Sequence, residues 1–526
     1  MSARPRIVAD DAIPWAREAL GALGELTLRP GRAIDRASLR EADALVVRTI
    51  TRVDAALVAG TPVRFVGTAT AGVDHLDVAG LTAAGITVAS AAGCNATAVA
   101  QYVSCALHLL ALERDRELLR GPIAVIGLGQ VGRRVVHRLR ALGVEVRVSD
   151  PPLAAARARA PLAGDDPLTR LAREEPLLSL AEATTGARAV TLHVPLVADG
   201  DHPTVGLVGD EVLRRLPQGA CVLNTSRGGV VDEQALLRWL DASRGQAVLD
   251  VWSGEPAIDL ALADHDAVRL ATPHVAGYTV EGKVAGTSMI ADALAQHLGT
   301  RSHWRGDEVL GAPQPIDAPD GPTALARRTA VLRACNPIER ADASLRATFG
   351  MPLRQRVAAF EGLRRDYELR RELAHFVPPR EAAELLCVLG LATPPPPAIV
   401  LVAHGSPDPD WRLPLDRTVA QLRERAPGLL VRLAFLDHLT PRVAEAIAGL
   451  HAEGHRHVRV IAAFLSPGGG HVKRDVPNLV ATARAAHPDA VIELVPGAIG
   501  AEPELVDALV RATVRLAHDV DAPPGG

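Results

Sequence analysis

Cysteine, aromatic side chains, net charge and long apolar runs are all scarce in this chain of 526 residues, and most of these shortages exclude something. Its five cysteines, Cys94, Cys105, Cys221, Cys335 and Cys387, are scattered with no CxxC pair, which argues against a disulfide framework and fits reduced thiols in a cytoplasm. A formal charge of −4 argues against a general nucleic-acid or membrane-surface partner. No apolar run reads as long enough to span a bilayer, and the start of the chain passes into a polar-flanked strand at 6–9 rather than a signal peptide. Aromatics supply only 3% of residues; the chain is rich in Ala, Gly, Arg and Pro, with the composition of a soluble globular protein.

What is present is a series of short apolar runs, each ending in a turn. The length exceeds one hydrophobic core, so about three or four domains are expected. The chain is organised around residues 123–150. An apolar run at 123–126 enters Gly127, Gly129 and Gly132; Val131, Val135, Leu139 and Leu142 then share one helical face, and a second apolar run ends at Asp150. Strand, glycine turn, helix, strand and acid in that order read as a dinucleotide site. The glycines, with Gln130 and Val131 opening the helix, let backbone approach a pyrophosphate, and the acid accepts from ribose hydroxyls. Asp150 would repel a 2′-phosphate, so NAD is expected rather than NADP.

Before this stretch, β-runs at 7–9, 44–47, 65–67 and 87–89 alternate with amphipathic helical segments, which implies a parallel sheet covered by helices. Arg48, Thr49 and the small residues of 68–74 follow strand ends, where open α/β sheets place ligands, although taken by themselves they read better as ordinary strand–helix turns. Arg48 is expected to meet the substrate's anionic end. A long helix is expected at 96–112, and strands at 189–194, 220–224, 247–251 and 268–271. Arg227, Glu255 and His274 each follow the end of a different one of these strands. Parallel geometry gathers such ends along one edge, over the cofactor. Oxidising a 2-hydroxy acid needs a cation for the carboxylate and the C2 oxygen, a base for the hydroxyl proton and a carboxylate to tune that base. Arg227, His274 and Glu255 fill those roles in turn. Taken singly, each also reads as structural: a helix-start ion pair, a capped loop histidine and a turn.

The segments FVGTATAGVDHLD, GCNATAVAQYV, VLDVWSGEP and TPHVAGYTVEGK resemble the D-isomer-specific 2-hydroxyacid dehydrogenases, and among them the 4-phosphoerythronate dehydrogenases of pyridoxine biosynthesis. The resemblance covers residues 5–392. It implies an α/β fold, with a flavodoxin-like substrate domain at 1–98 completed by 284–300 and a Rossmann NAD domain at 99–283. A linker and a small α+β dimerisation domain follow at 301–392, which makes the chain a homodimer. It makes Arg227 and Glu255 catalytic and His274 the proton donor/acceptor. It brings Thr49, Thr70 and Tyr278 to a phosphorylated hydroxy acid, and Asp150, Thr225, Asp250 and Gly277 to NAD. A helix at 285–298 returns to the first domain, and two crossings predict closure on binding. The composition of 301–320 reads as linker. The charged run at 364–372 reads as a solvated helix face or, by the resemblance, as part of the dimerisation domain. Another D-2-hydroxy acid remains the alternative substrate.

Prolines 394–397 form a stiff spacer at 393–397, and a separate α/β pattern follows at 398–526, with strands at 399–402, 430–435, 458–463 and 491–495. His404 and His471 stand just past strand ends. Imidazole suits Co, Ni or Fe, and two ligands suit a site where a macrocycle supplies the remaining nitrogens; two loop histidines near glycines are the plain alternative. The segments VAHGSPDP, AFLDHLTPRVAEAI and FLSPGGGHVKRDVP resemble the short sirohydrochlorin cobaltochelatases over about 398–518. That resemblance implies that the histidines handle metal and pyrrole protons, and that Arg412, Lys473 and Arg474 offer cations to tetrapyrrole carboxylates. A metal- or tetrapyrrole-binding module without turnover is the alternative.

Overall fold

Short apolar runs become parallel strands throughout the chain, because each is too short for a helix and is followed by a helix-forming segment that covers it. The computed structural model describes residues 4–519, except 114–117, 160–161, 163, 165, 318, 380–381, 383–384, 387, 392–396, 427–428 and 467, and the side chains of 514–519. Its two compact units are Met1–Thr393 and Pro394–Gly526. The proline spacer, apart from Pro397, and Cys387 lie outside the described residues.

The first sheet holds β1 (Arg6–Asp10), β2 (Glu25–Arg29), β3 (Ala44–Val47), β4 (Phe65–Thr68) and β5 (Thr87–Ser90). All are parallel in the order β2-β1-β3-β4-β5, the flavodoxin-like arrangement. β2 is absent from the sequence expectation. It is an edge strand with no buried position, so it lacks the continuous apolar signal of its neighbours.

The second sheet holds β6 (Ile123–Ile126), β7 (Val146–Ser149), β8 (Ala189–Leu192), β9 (Cys221–Asn224), β10 (Gln246–Leu249) and β11 (Val268–Ala271), again all parallel. The order β11-β10-β9-β8-β6-β7 reverses direction at β6, which puts the switch point, where such sheets bind dinucleotides, beside the glycine turn. Alternate residues feed opposite cores: Ile123 and Val125 point to one, Ala124 and Ile126 to the other.

The helix Ala96–Glu113 runs through the first of these cores. By length and composition it would cross a membrane, contrary to the expectation above. Burial of 83% of its most apolar window inside the unit accounts for that composition. The returning helix begins earlier than expected, as Val280–His297 capped by Thr279, whose side chain accepts from Gly282 N–H.

Residues 301–320 are not plain linker. They contain a short helix, Asp307–Leu310, and β12 (Gln314–Pro315), which pairs with β13 (Phe376–Val377). Between β12 and β13 lie the helices Ala324–Cys335, Ile338–Arg346 and Leu353–Arg365. The charged run at 364–372 is not a solvated face either: Arg370 is 6% exposed, and its guanidinium donates to the carbonyls of Ala98, Val275, Ala276 and Tyr278. A residue from this third region thus clamps the loop that carries His274.

The second unit is a sheet of β14 (Ala398–Ala403), β15 (Val431–Phe435), β16 (His457–Ala462) and β17 (Val491–Leu494), parallel in the order β15-β14-β16-β17. The helices Leu413–Arg425, Val443–Ala452, Val476–Ala486 and Pro503–Asp519 alternate with the strands.

Candidate active site

The glycine turn shows a division of labour. Gly127 sits at φ 93°, and a Cβ there would meet the His193 carbonyl at 2.5 Å; at Gly132 it would meet the Gly127 carbonyl at 1.8 Å, so helix Gln130–Ala141 packs directly on the turn. Gly129 faces open space, with nothing within 4 Å of such a Cβ. Bare backbone and a free helix N-terminus therefore face that space, as a pyrophosphate requires. Asp150 borders it: its carboxylate accepts from Leu128 N–H at 2.7 Å and Leu153 N–H at 2.9 Å, one bond per oxygen, leaving lone pairs for further donors. The Gln130 side chain accepts from Arg134 at 3.1 Å, and Val131 packs on the core. The Thr225 hydroxyl, just past β9, is buried without a partner. An open backbone cradle, an acid at its edge and an orphaned hydroxyl fit a dinucleotide.

The loop after β11 is held from several sides. Asp250, buried at the end of β10, accepts from the Thr272 hydroxyl at 2.6 Å and from the N–H groups of Val275 and Ala276 at 2.8 and 3.0 Å. Tyr102 bonds Thr272 at 2.7 Å, and Trp252 Nε1 donates to the Thr272 carbonyl at 3.0 Å. A Cβ at Gly277 would meet Asn95 Nδ2 at 2.3 Å, so the loop lies close on the start of the long helix. Held this way, His274 adopts φ 57°, unusual for a residue with a side chain, and its Nδ1 lies 2.9 Å from Glu255 Oε2. Glu255 Oε1 accepts from Trp252 N–H at 2.8 Å. Burial pulls the Glu255 carboxyl upward, but His274, the Trp252 N–H and Arg364 together hold it below the usual range. An ionised Glu255 accepts from Nδ1–H and leaves Nε2 as the proton acceptor.

Arg227 and His274 stand at the carboxyl ends of strands in the same sheet, but the guanidinium is engaged. Asp74 Oδ2 accepts from its Nε and Nη2 at 3.0 and 2.9 Å, and the Ser226 carbonyl from Nη1 at 2.8 Å. Gly72 makes room for it: a Cβ there would lie 2.2 Å from Nη2. Arg48 Nε donates to the buried Asp10 at 3.2 Å, Thr49 is exposed, and the Thr70 hydroxyl lies 2.8 Å from that of Thr68. The Tyr278 ring stacks edge-on to Tyr367 at 5.8 Å and lies 4.0 Å beneath Lys283 Nζ. Asp74, Lys283 and Arg364 are among the polar residues here to which the sequence assigns no role. Asp74 and Lys283 lie within the quoted segments and Arg364 opens the charged run, but nothing local reveals which residues they meet.

In the second unit, His404 and His471 come together with ring centroids 4.4 Å apart, beside Phe464 at 4.8 Å from His404. His471 Nδ1 lies 2.8 Å from Asp475 Oδ2, and Gly405 N–H donates to Asp437 at 3.0 Å. Arg412 and Arg474 are paired with Asp416 at 2.7 Å and Asp475 at 2.9 Å. Among the described residues no group of three or more His, Cys, Asp or Glu side chains is placed to hold a metal.

Two family models match this chain: the D-isomer specific 2-hydroxyacid dehydrogenase NAD binding domain over residues 111–276, and CbiX over residues 398–516. Erythronate-4-phosphate dehydrogenase of Shigella dysenteriae is 39% identical over 397 residues, 73% of this chain and 97% of its own length. That of Escherichia coli O1:K1 is 40% identical over 399 residues, with the same coverage. A solved D-lactate dehydrogenase from Aquifex aeolicus, complexed with NAD and lactic acid, superposes with TM-score 0.44 at 21% identity, over 56% of this chain and 95% of its own.

Proposed function

Since the chain belongs to the erythronate-4-phosphate dehydrogenase family and ends in a CbiX domain, we propose that its first unit oxidises 4-phospho-D-erythronate to 2-oxo-3-hydroxy-4-phosphobutanoate with NAD, a step of pyridoxal phosphate biosynthesis. The observation that carries this reading is the 2.9 Å contact of His274 with Glu255, on the sheet that also bears the open glycine turn. The backbone of 127–132 would hold the pyrophosphate and Asp150 the ribose hydroxyls, with Thr225, Asp250 and Gly277 lining the rest of the cofactor. When bound, NAD accepts the hydride leaving C2.

The chain's own residues do the remainder. Arg227 exchanges Asp74 for the substrate carboxylate and polarises the C2 oxygen. His274 Nε2 takes the C2 hydroxyl proton, and Glu255 stabilises the imidazolium that results. Thr49, Thr70, Tyr278 and Arg48 border the substrate. The test is oxidation of the acid by the purified chain with NAD, a 2-oxo acid being present to take the hydride back from NADH, read as the 2-hydroxy acid formed from that acceptor. Turnover is expected with 4-phosphoerythronate well above that with D-lactate or D-glycerate. Equal or faster turnover of another D-2-hydroxy acid would overturn the assignment.

For the second unit the reading is insertion of cobalt, iron or nickel into sirohydrochlorin, supported by the His404–His471 approach and the CbiX match. The two imidazoles accept pyrrole protons and present the metal, while the macrocycle supplies the other nitrogens. A Co(II)-dependent spectral change of sirohydrochlorin, lost in His404→Ala/His471→Ala, is the expected result; binding without conversion would make the unit a tetrapyrrole-binding module. Exposed apolar side chains at Met351, Leu353 and Val377 support a homodimer through 301–392, and the free thiols of Cys94, Cys105, Cys221 and Cys335 support a cytoplasmic setting.

A further inference from the structure

Of the 57 lysines and arginines in the chain, two are lysine, Lys283 and Lys473. Where arginine serves nearly every other cationic position, a retained lysine marks a place where a compact ammonium is wanted rather than a planar fork. Lys283 lies in the first turns of helix Val280–His297, five residues after Tyr278, with Nζ over that ring at 4.0 Å. Among the described residues it has no carboxylate partner, although it is half-buried. The other cations of this corner come from distant parts of the chain. Arg48 follows β3, with one nitrogen on Asp10. Arg364 ends helix Leu353–Arg365; its Nε is buried without a partner, and its Nη1 lies 3.9 Å from Glu255 Oε2.

Asp10 and Glu255 each offset one of these arginines, but no carboxylate among the described residues offsets the Lys283 ammonium. Burial, together with the charges of Arg48 and Arg364, depresses the Lys283 ammonium below its usual range, against the opposing influence of Tyr278 and Cys94. Resting on the reading of the first unit as a dehydrogenase of a phosphorylated hydroxy acid, we infer that Lys283, with Arg48 and Arg364, forms the subsite that binds the substrate's phosphate. The placement suits the chemistry: Arg364 reaches the carboxylate partner of His274, and in a 4-phosphorylated acid the phosphate is a few bonds beyond the carbon that loses hydride. A dianion sharing donors from separate elements also makes recognition depend on length, because carboxylate and phosphate are gripped at opposite ends by Arg227 and Lys283.

The test compares kcat/KM for 4-phosphoerythronate and for unphosphorylated erythronate in the full-length chain, wild type and Lys283→Met, Lys283→Arg and Arg364→Gln. The ratio of the two is expected to fall about 100-fold in Lys283→Met and about 10-fold in Arg364→Gln, with a smaller loss in Lys283→Arg. Inorganic phosphate, as competitive inhibitor of 4-phosphoerythronate oxidation, should weaken at least 10-fold in Lys283→Met. A merely structural role would change both substrates alike and leave the ratio within threefold of wild type, which would overturn the inference. If Lys283→Met fails to fold, the ratio and phosphate inhibition in Arg364→Gln and Lys283→Arg decide the matter. Failure of the parent reading looks different: wild type would then show no preference for the phosphorylated acid, and phosphate inhibition would still report whether the cations hold an anion.

Discussion

Asp74 Oδ2 accepts hydrogen bonds from both Nε and Nη2 of Arg227, at 3.0 and 2.9 Å, so the guanidinium assigned to the substrate carboxylate already holds a carboxylate. Their side chains are 56% and 33% exposed, and an ion pair so open to solvent is worth less than about 1 kcal/mol. A substrate carboxylate can displace it. Asp74→Asn should therefore lower the inhibition constant of oxalate, a small dicarboxylate probe, by up to about fivefold. An unchanged constant would mean that Asp74 does not compete for the site.

Removing the guanidinium or the imidazole should stop chemistry without emptying the cofactor site. Arg227→Ala and His274→Ala are expected to lose about 1000-fold or more in kcat, and Glu255→Gln about 100-fold, with NADH affinity by fluorescence titration changed by less than about threefold. Wild-type rates in either alanine variant would remove them from the mechanism.

The second and third glycines of the turn should separate stability from binding. At Gly132 a Cβ would lie 1.8 Å from a backbone oxygen, so Gly132→Ala should cost more than about 2 kcal/mol in denaturant unfolding. At Gly129 nothing lies within 4 Å, so Gly129→Ala should leave the melting temperature unchanged while weakening NAD about 10-fold or more. Equal NAD affinity in Gly129→Ala would mean that the open cradle is not where the pyrophosphate lies.

Glu372 carries a pH dependence of stability. Burial, then the neighbouring Glu281, raises its carboxyl from 4.5 to about 7, against the opposing effects of the Thr279 hydroxyl, Arg370 and Arg138. Between those values the folded chain binds more protons than the unfolded one, so this group's contribution falls as pH rises from about 4.5 through about 7. Glu372→Gln should remove that slope. Its melting temperature relative to wild type is expected to rise by roughly 2–4 °C across the window, and a difference that stays flat with pH would refute the linkage.

Much of this protein was legible from local pattern. The glycine turn, the parallel strands and the residues that follow strand ends each depend on a few consecutive positions, whose periodicity and turn chemistry need no distant partner. β2 escaped because an edge strand with no buried position has no apolar run to show. The linker expected at 301–320 holds a short helix and a strand because the strand's partner, β13, lies some sixty residues away.

The one-dimensional chain therefore decided which elements form, where the glycine backbone opens and which residues stand at the sheet edge. Folding alone decided whom they meet: Arg227 with Asp74, Arg370 with the carbonyls around His274, Tyr278 with Tyr367. Hydrogen bonds and charges act over a few ångströms of space, and residues brought that close by packing are separated here by dozens to hundreds of positions of chain, a distance along which no periodicity carries a signal.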